Sequence, residues 1–235
     1  MNKEIVLDKY GKKELIGHII GPVIISLIFF LLAGTINLYR AWIWSLLTLI
    51  YYITGMLVVL NMNPVLLNER GNWNKKKDVK KWDKVILQIF GTVGLYGHTT
   101  IMALDVGRFG WSEMETWTLI PGIILYTISF LIVYLAMSIN PHFETIVRIQ
   151  HERNHKVISN GPYRFIRHPG YAGLILSNFA SAMIIGSAFG LISASATLII
   201  LCVRTYLEDR TLREELEGYS DYSQRVRYKL LPFIW

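Results

Sequence analysis

Apolar residues run along most of this 235-residue chain in long uncharged stretches, separated by short segments rich in Lys and Arg. The stretches cover residues 15–39, 41–68, 85–104, 116–143 and 168–203. Each reaches or exceeds the roughly 20 apolar residues that a helix needs to cross a bilayer. Asn63-Pro64 and Asn140-Pro141 lie near the ends of two stretches, where each proline disfavours helix at the residue before it. The pattern predicts an all-α, polytopic integral membrane protein.

The last apolar stretch is long enough to hold two crossings. Its middle reads Gly186-Ser187-Ala188-Phe189-Gly190, a mostly small-residue run that favours a turn. We therefore expect a C-terminal helical hairpin with arms of about 16 residues each, slightly short of a full span. With the four earlier stretches, the prediction is about six transmembrane helices.

The charge distribution supports this arrangement and suggests an orientation. Hydrophobic residues make up 52% of the chain, above the roughly 45–50% of soluble domains. All 24 Lys and Arg residues except Arg40 and Arg108 lie in the two tails, Lys3 included, or near alternate loops. Since basic residues are retained on the cytoplasmic side, both termini are expected in the cytoplasm, here of a prokaryotic inner membrane. We interpret the net charge of +7 as a result of this asymmetry between the loops. Membrane lipids are therefore expected as partners, and nucleic acid is not.

Several residues within the crossings receive a structural interpretation. Glycines remove side chains from one helix face and predict close helix packing, with a lipid or acceptor slot as the alternative, at Gly17, Gly21, Gly91, Gly94 and Gly97. His18 and His98 are interpreted as neutral imidazoles hydrogen-bonded to a neighbouring helix, although polar groups in lipid are also functional candidates. Trp44 and other tryptophans near helix ends are read as interfacial anchors. The single cysteine, Cys202, gives no metal-ligand spacing, and no metal is expected.

Candidate chemistry is concentrated in residues 139–235, and residues 1–138 are expected to form about four transmembrane helices with little chemistry. The tract 161–171 places two arginines, a histidine and two tyrosines at the start of an apolar run. Pro169 suits the first turn of a helix, whose free N–H groups would form an anion site with Arg167 and His168. An interfacial belt, in which arginine pairs with lipid phosphate, is the alternative.

A second group of polar residues follows the hairpin. The four-residue spacing of Arg204 and Glu208 places them on one helical face, where the last crossing leaves the bilayer. Both could therefore address one ligand. A surface ion pair at this spacing contributes only about 0.2–0.5 kcal/mol, which gives little reason to place it at the mouth of an apolar hairpin.

Together these motifs resemble the isoprenylcysteine carboxyl methyltransferase family and its phospholipid methyltransferase relatives. The shared pattern covers roughly residues 150–235. Its pieces stand in the family's order, with the hairpin between the second and third: His155 leading to Gly161-x-Tyr163, Arg167-His168-Pro169-x-Tyr171-x-Gly173, Arg204-x-x-x-Glu208-Asp209-x-x-Leu212, and Gly218-Tyr219-x-x-Tyr222. Asp209 departs from the second Glu of many relatives. Arg148 stands where eukaryotic members use a Gln toward the cofactor, so that contact is not transferred.

The resemblance implies a cytoplasmic pocket for S-adenosylmethionine. Glu208 would bind the cofactor and share the catalytic role with Arg204, which would face the acceptor. The other implied cofactor-binding residues are His155, Lys156, Val157, Ile158, Tyr163, Arg167, His168, Pro169, Gly170 and Tyr171. A sulfonium methyl is already activated, so its transfer needs in-line placement and exclusion of water more than strong acids or bases.

The predicted function is therefore an integral membrane methyltransferase that uses S-adenosylmethionine. Its acceptor would be lipid-like, or a small apolar molecule, with a carboxylate, amine or thiol; the sequence does not choose among O-, N- and S-methylation. One alternative is an NADPH-dependent membrane reductase of the sterol type, which would need basic groups for the 2′-phosphate. A non-enzymatic transporter or scaffold is a further alternative, and no obligate protein partner is inferred.

Overall fold

The computed structural model of the protein describes residues 7–235, and this part of the chain contains helices and no strands. Five helices are long and apolar enough to cross a membrane, and a sixth apolar helix has 17 residues. In chain order the helices are α1 (Lys9–Ala33), α2 (Tyr39–Met62), α3 (Pro64–Gly71), α4 (Lys81–Phe109), α5 (Thr116–Ile139), α6 (Pro169–Ile185), α7 (Ala188–Glu215) and α8 (Tyr219–Arg225). The predicted all-α, multi-pass membrane architecture is confirmed. Lys3, which entered the prediction of orientation, lies outside the described residues.

The first two crossings differ in their bounds from the predicted stretches. Helix α1 begins at Lys9 because the Asp8 carboxylate accepts hydrogen bonds from the N–H groups of Tyr10 and Gly11, at 2.8 and 2.9 Å. It ends at Gly34, which adopts a left-handed φ of 71°. The stretch 41–68 is split, since α2 ends at Met62 and Pro64 starts the separate helix α3.

The segment between α2 and α4 packs against the bundle, although it contains several lysines. Helix α3 buries Leu66 and Leu67 completely against the bundle. Arg70 donates from Nε to Glu14 Oε1 at 2.9 Å and from Nη1 to the Phe143 carbonyl at 3.3 Å. The loop therefore ties α1 to the segment after α5, and its basic residues are partly structural.

Helices α6 and α7 form the predicted hairpin, but its arms are unequal. Gly186 ends α6 with a φ of 88°, and the Ser187 hydroxyl caps α7 by accepting from the Gly190 N–H at 2.8 Å. Arg40 of α2 closes the turn by donating to the Ile184 carbonyl and to the Thr118 hydroxyl, both at 2.7 Å. Because α7 has 28 residues, it continues beyond the hairpin and carries polar residues into the site.

Helix α4 winds irregularly, and this irregularity shapes the cavity described below. Residues Phe90–Gly97 and Leu104–Phe109 form wide π-type turns on either side of a regular α-helical segment. Such turns are rare and occur often at functional sites. Phe90, Gly94 and His98 of this region all line the cavity.

Candidate active site

One cavity of about 510 Å³ contains the predicted site. It begins at the polar end of the bundle, which we define as residues 140–171 with the end of α7 and the tail, and extends between the membrane helices. Every residue predicted for the site lines it: His155, Lys156, Val157, Ile158, Tyr163, Arg167, His168, Pro169, Gly170, Tyr171, Arg204 and Glu208. The structure thus brings these residues together, whereas their roles toward a cofactor stay predictions.

Arg167 is held by the protein rather than left free for an anion. Its Nε and Nη2 donate to the two carboxylate oxygens of Asp209 at 2.6 and 3.1 Å. Its Nη1 donates to the carbonyls of Val226 and Arg227 at 2.7 and 2.9 Å. The predicted anion site is therefore wrong in its charge, because Asp209 neutralises Arg167. The pair instead anchors the tail against the start of α6.

His168 and Pro169 form the start of α6, with Pro169 in the first turn as predicted. His168 Nε2 lies 3.4 Å from both Asp209 Oδ1 and the Tyr219 hydroxyl, which are long contacts. Its ring is parallel to the Tyr171 ring at a centroid distance of 5.8 Å. The His168 side chain is therefore positioned mainly by packing.

Arg204 is also paired, with a partner that sequence reasoning missed. Its Nε donates to Asp83 Oδ1 at 2.8 Å and its Nη2 to the Thr145 carbonyl at 2.7 Å. Its guanidinium lies 5.2 Å from the centre of the Tyr171 ring. Asp83 is completely buried at the start of α4. A lone carboxylate between lysines, directly before an apolar run, was the available signal, and only the structure shows its partner.

Glu208 is the exception among the charged residues of this wall. Its carboxylate accepts a short hydrogen bond from the Tyr171 hydroxyl. Within residues 7–235 it forms no ion pair, whereas Arg167 and Arg204 are each paired with an aspartate. The cavity therefore presents a carboxylate without a direct ion pair beside an aromatic ring.

The segment before α6 forms the opposite wall around a buried glutamine. Gln150 is 1% exposed and donates to the His142 carbonyl at 2.9 Å, while its Oε1 lies 3.2 Å from His142 Nδ1. The ring centroids of His142 and His155 lie 4.3 Å apart, and the two planes are inclined by 31°. Arg148, which was not assigned to the cofactor, binds Glu144 through two hydrogen bonds of 2.8 and 2.9 Å. Gln150, Glu144 and His142 were not singled out from the sequence.

Tyr163 joins this wall to the end of α5 and to the tail. The Asn140 amide donates to its hydroxyl at 3.0 Å, and the Tyr222 hydroxyl donates to its carbonyl at 2.7 Å. Burial raises the pKa of the Tyr163 hydroxyl well above its usual value, so the hydroxyl stays protonated. Tyr163 therefore offers the cavity a neutral hydroxyl rather than a phenolate.

The neighbouring histidines His142 and His155 predict that the stability of the protein depends on pH. Burial lowers the pKa of His155 from 6.5 to about 3, and the neighbouring charges of His142, Arg148, Arg153 and His151 act in the same direction. Below pH 6.5 the unfolded chain therefore binds more protons at His155 than the folded protein does. The contribution of neutral His155 to the free energy of unfolding is fully present above pH 6.5 and is lost as the pH falls toward 3. We expect His155→Gln to flatten the decrease in thermal stability between pH 6.5 and 4, measured by thermal unfolding in detergent.

The exposed neighbour His151 provides the control for this measurement. His151→Gln should change the pH dependence much less than His155→Gln does, since this side chain lies in solvent and its charge is the smallest of the causes named for His155. An identical pH profile for His155→Gln and the unmodified protein would show that His155 does not carry the effect.

The deep part of the cavity combines aromatic and small polar residues. His98 contacts two serine hydroxyls on α6 and α7, as its structural interpretation predicted. His18 instead bonds the Glu14 carbonyl of its own helix, at 2.9 Å. Trp44, read as an interfacial anchor, is buried in the wall.

The glycine prediction was wrong at three positions. A Cβ placed on Gly17, Gly21 or Gly91 would meet no atom within 4 Å, so these positions do not mediate close helix packing. Gly21 instead lines the cavity on α1, whereas Gly94 does pack closely, against Phe90 and Thr197.

Comparison with known proteins agrees with the motifs in the second half of the chain. Residues 120–214 match the model of the isoprenylcysteine carboxyl methyltransferase (ICMT) family. A probable protein-S-isoprenylcysteine O-methyltransferase from Oryza sativa subsp. indica is 29% identical over 116 residues, which cover 48% of this chain and 60% of the rice protein. The protein-S-isoprenylcysteine O-methyltransferase of Rattus norvegicus is 27% identical over 135 residues, covering 53% of this chain and 45% of the rat protein. The matched regions thus span less than two thirds of these relatives.

The fold of the whole chain is similar to a solved structure. The eukaryotic intramembrane Ras methyltransferase ICMT superposes with a TM-score of 0.54, covering 97% of this chain and 99% of that chain. At 16% sequence identity this likeness concerns the fold alone. The matched region and the motifs around the cavity make the second half of this chain similar to the isoprenylcysteine carboxyl methyltransferase family.

Proposed function

We propose that the protein is an S-adenosylmethionine-dependent methyltransferase that acts on an amphiphilic acceptor at the inner face of the membrane. The observation that carries the proposal is the charge of the cavity wall. Arg167 and Arg204 are paired with Asp209, which Arg213 also contacts, and with Asp83, whereas Glu208 forms no direct ion pair within residues 7–235. A cationic ligand is therefore favoured over an anionic one at this wall.

The residues present fit S-adenosylmethionine on chemical grounds. Its sulfonium and its ammonium group are both cations, which suit the Glu208 carboxylate and the adjacent face of Tyr171. The cavity volume of about 510 Å³ lies within the usual range of ~300–1,000 Å³ for small-molecule sites. His155, Lys156, Val157 and Ile158 would hold the nucleoside side of the cofactor, opposite α7. When bound, the cofactor supplies an electrophilic methyl group.

The protein's own contribution to the reaction would be orientation and exclusion of water. Tyr171 holds the Glu208 carboxylate in one position through its hydroxyl. Arg204 faces the acceptor side with two of its three nitrogens committed to Asp83 and Thr145. Its Nη1 has no hydrogen-bond partner in residues 7–235 and can donate one bond to an acceptor oxygen. One bond orients a carboxylate while retaining more of its nucleophilicity than a bidentate pair would.

The acceptor side of the proposal rests on the shape of the cavity. It continues from Arg204 past Tyr134 and Phe130 into the apolar part of the bundle, so that a lipid-like chain would extend from the reacting group. The matched relatives carry names that specify isoprenylcysteine O-methylation. We therefore place the carboxylate of a thioether-linked lipid first among the acceptors, before amines and thiols. We infer from the basic loops that this polar end faces the cytoplasm.

The alternative of an NADPH-dependent reductase is disfavoured by the same ion pairs. A 2′-phosphate requires free basic groups, and the cavity's arginines Arg70, Arg148, Arg167 and Arg204 are all paired with carboxylates. Lys156 is exposed and lies alone at the rim. The wall therefore does not present the cluster that a phosphate would need.

Calorimetry of the detergent-purified protein tests the proposal. We expect heat of binding with S-adenosylmethionine and with its demethylated product, and none with NADPH. Labelled methyl groups should then pass from the cofactor into a total lipid and thiol extract, with the product identified by mass spectrometry. Heat with NADPH alone would reject the proposal in favour of a reductase, and no binding of any cofactor would favour a transporter or scaffold.

A further inference from the structure

The deep cavity wall carries a polar stripe that a channel for a plain hydrocarbon does not require. Ser177, Asn178 and Ser181 line the cavity on the same side of α6 as Tyr171, because residues three and four apart share a helix face. His98 of α4 lines it as well. At 1.5 Å per residue, Ser181 lies about 15 Å along the helix from Tyr171. The stripe is therefore well separated from the proposed methyl-transfer centre.

The four hydrogen-bond contacts around His98 cannot all form at the same time. His98 Nδ1 lies 2.7 Å from the Ser193 hydroxyl, and Nε2 lies 2.9 Å from the Ser181 hydroxyl. Each serine hydroxyl also donates to a carbonyl one turn earlier, at 2.9 Å to Gly190 and 2.8 Å to Asn178. A neutral imidazole has a single N–H, so one serine must donate to His98 and release its carbonyl. The hydrogen bonds can therefore rearrange so that a serine hydroxyl donates to a hydroxyl group in the cavity instead of to its carbonyl.

Asn178 provides a second, independent unsatisfied group. Among residues 7–235, the one hydrogen-bond donor near its Oδ1 is the Thr197 hydroxyl, at 3.5 Å, which is longer than an effective hydrogen bond. Its Nδ2 donates to the Leu174 carbonyl of its own helix. A carbonyl oxygen in an apolar cavity without a donor is unfavourable, and a hydroxyl on a bound molecule would relieve it. Asn178 and His98 thus line the same wall of the cavity, and both can form a hydrogen bond with a hydroxyl group.

We propose that this wall binds a hydroxyl group on the tail of the acceptor, about 15 Å from the atom that receives the methyl group. The inference rests on the proposed methyltransferase function and specifies its substrate class as a tail-hydroxylated amphiphile. Asn178 Oδ1 accepts a hydrogen bond from the hydroxyl group, and the His98–Ser181 pair donates a hydrogen bond to the hydroxyl oxygen. A tail made only of hydrocarbon would leave both groups facing carbon.

Equilibrium binding with a matched pair of probes tests this inference without depending on turnover. The probes are N-acetyl-S-farnesylcysteine and its analogue hydroxylated on the last isoprene unit, titrated into protein saturated with S-adenosylhomocysteine. We expect the hydroxylated probe to bind about tenfold more tightly, since one buried hydrogen bond corresponds to about that factor. Asn178→Leu and Ser181→Ala should each abolish the preference. Ser195→Ala, an exposed serine on α7 outside the cavity, should retain it.

Several outcomes would overturn the inference. Equal or tighter binding of the unmodified probe to the wild-type protein would do so without reference to any variant. A preference that survives both Asn178→Leu and Ser181→Ala, or failure of either probe to bind, would also overturn it. Methyl transfer to the same probes is measured in parallel. Probe binding with the expected preference but no transfer would count against the proposed reaction while supporting the hydroxyl site.

Discussion

Glu208→Gln is expected to weaken the binding of S-adenosylmethionine roughly 10- to 100-fold. Glutamine keeps the size of the side chain and can still accept a hydrogen bond from Tyr171, but it removes the negative charge of a carboxylate that forms no direct ion pair within residues 7–235. A hydrogen bond to a charged group contributes about 1.5–3 kcal/mol, and about 1.4 kcal/mol corresponds to a factor of ten. Isothermal calorimetry of the purified variant measures the loss directly.

Two comparisons sharpen this measurement. Glu214→Gln removes an exposed carboxylate of the same helix that pairs with Arg210, and it should leave the affinity unchanged. S-adenosylhomocysteine lacks the sulfonium charge but retains the ammonium group. A smaller loss for this ligand would locate Glu208 beside the sulfonium, whereas an equal loss would locate it beside the ammonium. Unchanged affinity for both ligands in Glu208→Gln would place the cofactor elsewhere.

Asp83→Ala is expected to destabilise the protein by about 3–5 kcal/mol, because it leaves Arg204 as a buried charge without its partner. Arg204→Ala should be similarly destabilising, since it isolates the completely buried Asp83 carboxylate. The double variant Asp83→Leu/Arg204→Leu removes both charges and should recover much of the stability. Thermal unfolding in detergent compares the three proteins.

The double variant also separates structural from functional effects at Arg204. We expect it to retain binding of S-adenosylmethionine, because Glu208 and Tyr171 are unchanged, and to lose methyl transfer. The exposed ion pair Arg210–Glu214 is the control, because removing either partner of a solvent-screened pair should leave thermal stability nearly unchanged. Additive losses in the double variant would show that Asp83 and Arg204 do not stabilise each other.

His168→Ala distinguishes packing from direct contact at the start of α6. The imidazole makes only long polar contacts and packs against Tyr171, the residue that holds Glu208. Its removal should therefore weaken cofactor binding through the position of Tyr171, which calorimetry of the variant with S-adenosylmethionine measures.

Local patterns in the sequence were sufficient to predict the architecture. Long uncharged stretches must form helices in a membrane, because every backbone polar group has to be hydrogen-bonded within the segment. Prolines at positions 64 and 141 and the small residues at 186–190 correctly located helix ends and the hairpin turn. The spacing of Tyr171, Arg204 and Glu208 placed side chains that do line one cavity. These signals are local, so one sequence is enough to read them.

The pairing of charges was decided only by the tertiary structure. Asp83 meets Arg204 across 121 positions of sequence, and Asp209 meets Arg167 across 42. From the sequence alone, the arginines appeared free to bind an anion, and Gly21 appeared to be a packing residue. Which buried charge lacks an ion-pair partner depends on all the neighbours brought together by folding. Burial makes the free-energy cost of such an unpaired charge large. The sequence by itself therefore determined a helical membrane bundle with a polar end, whereas the folded chain determined which charges pair, and we propose that Glu208 is the carboxylate that meets a ligand.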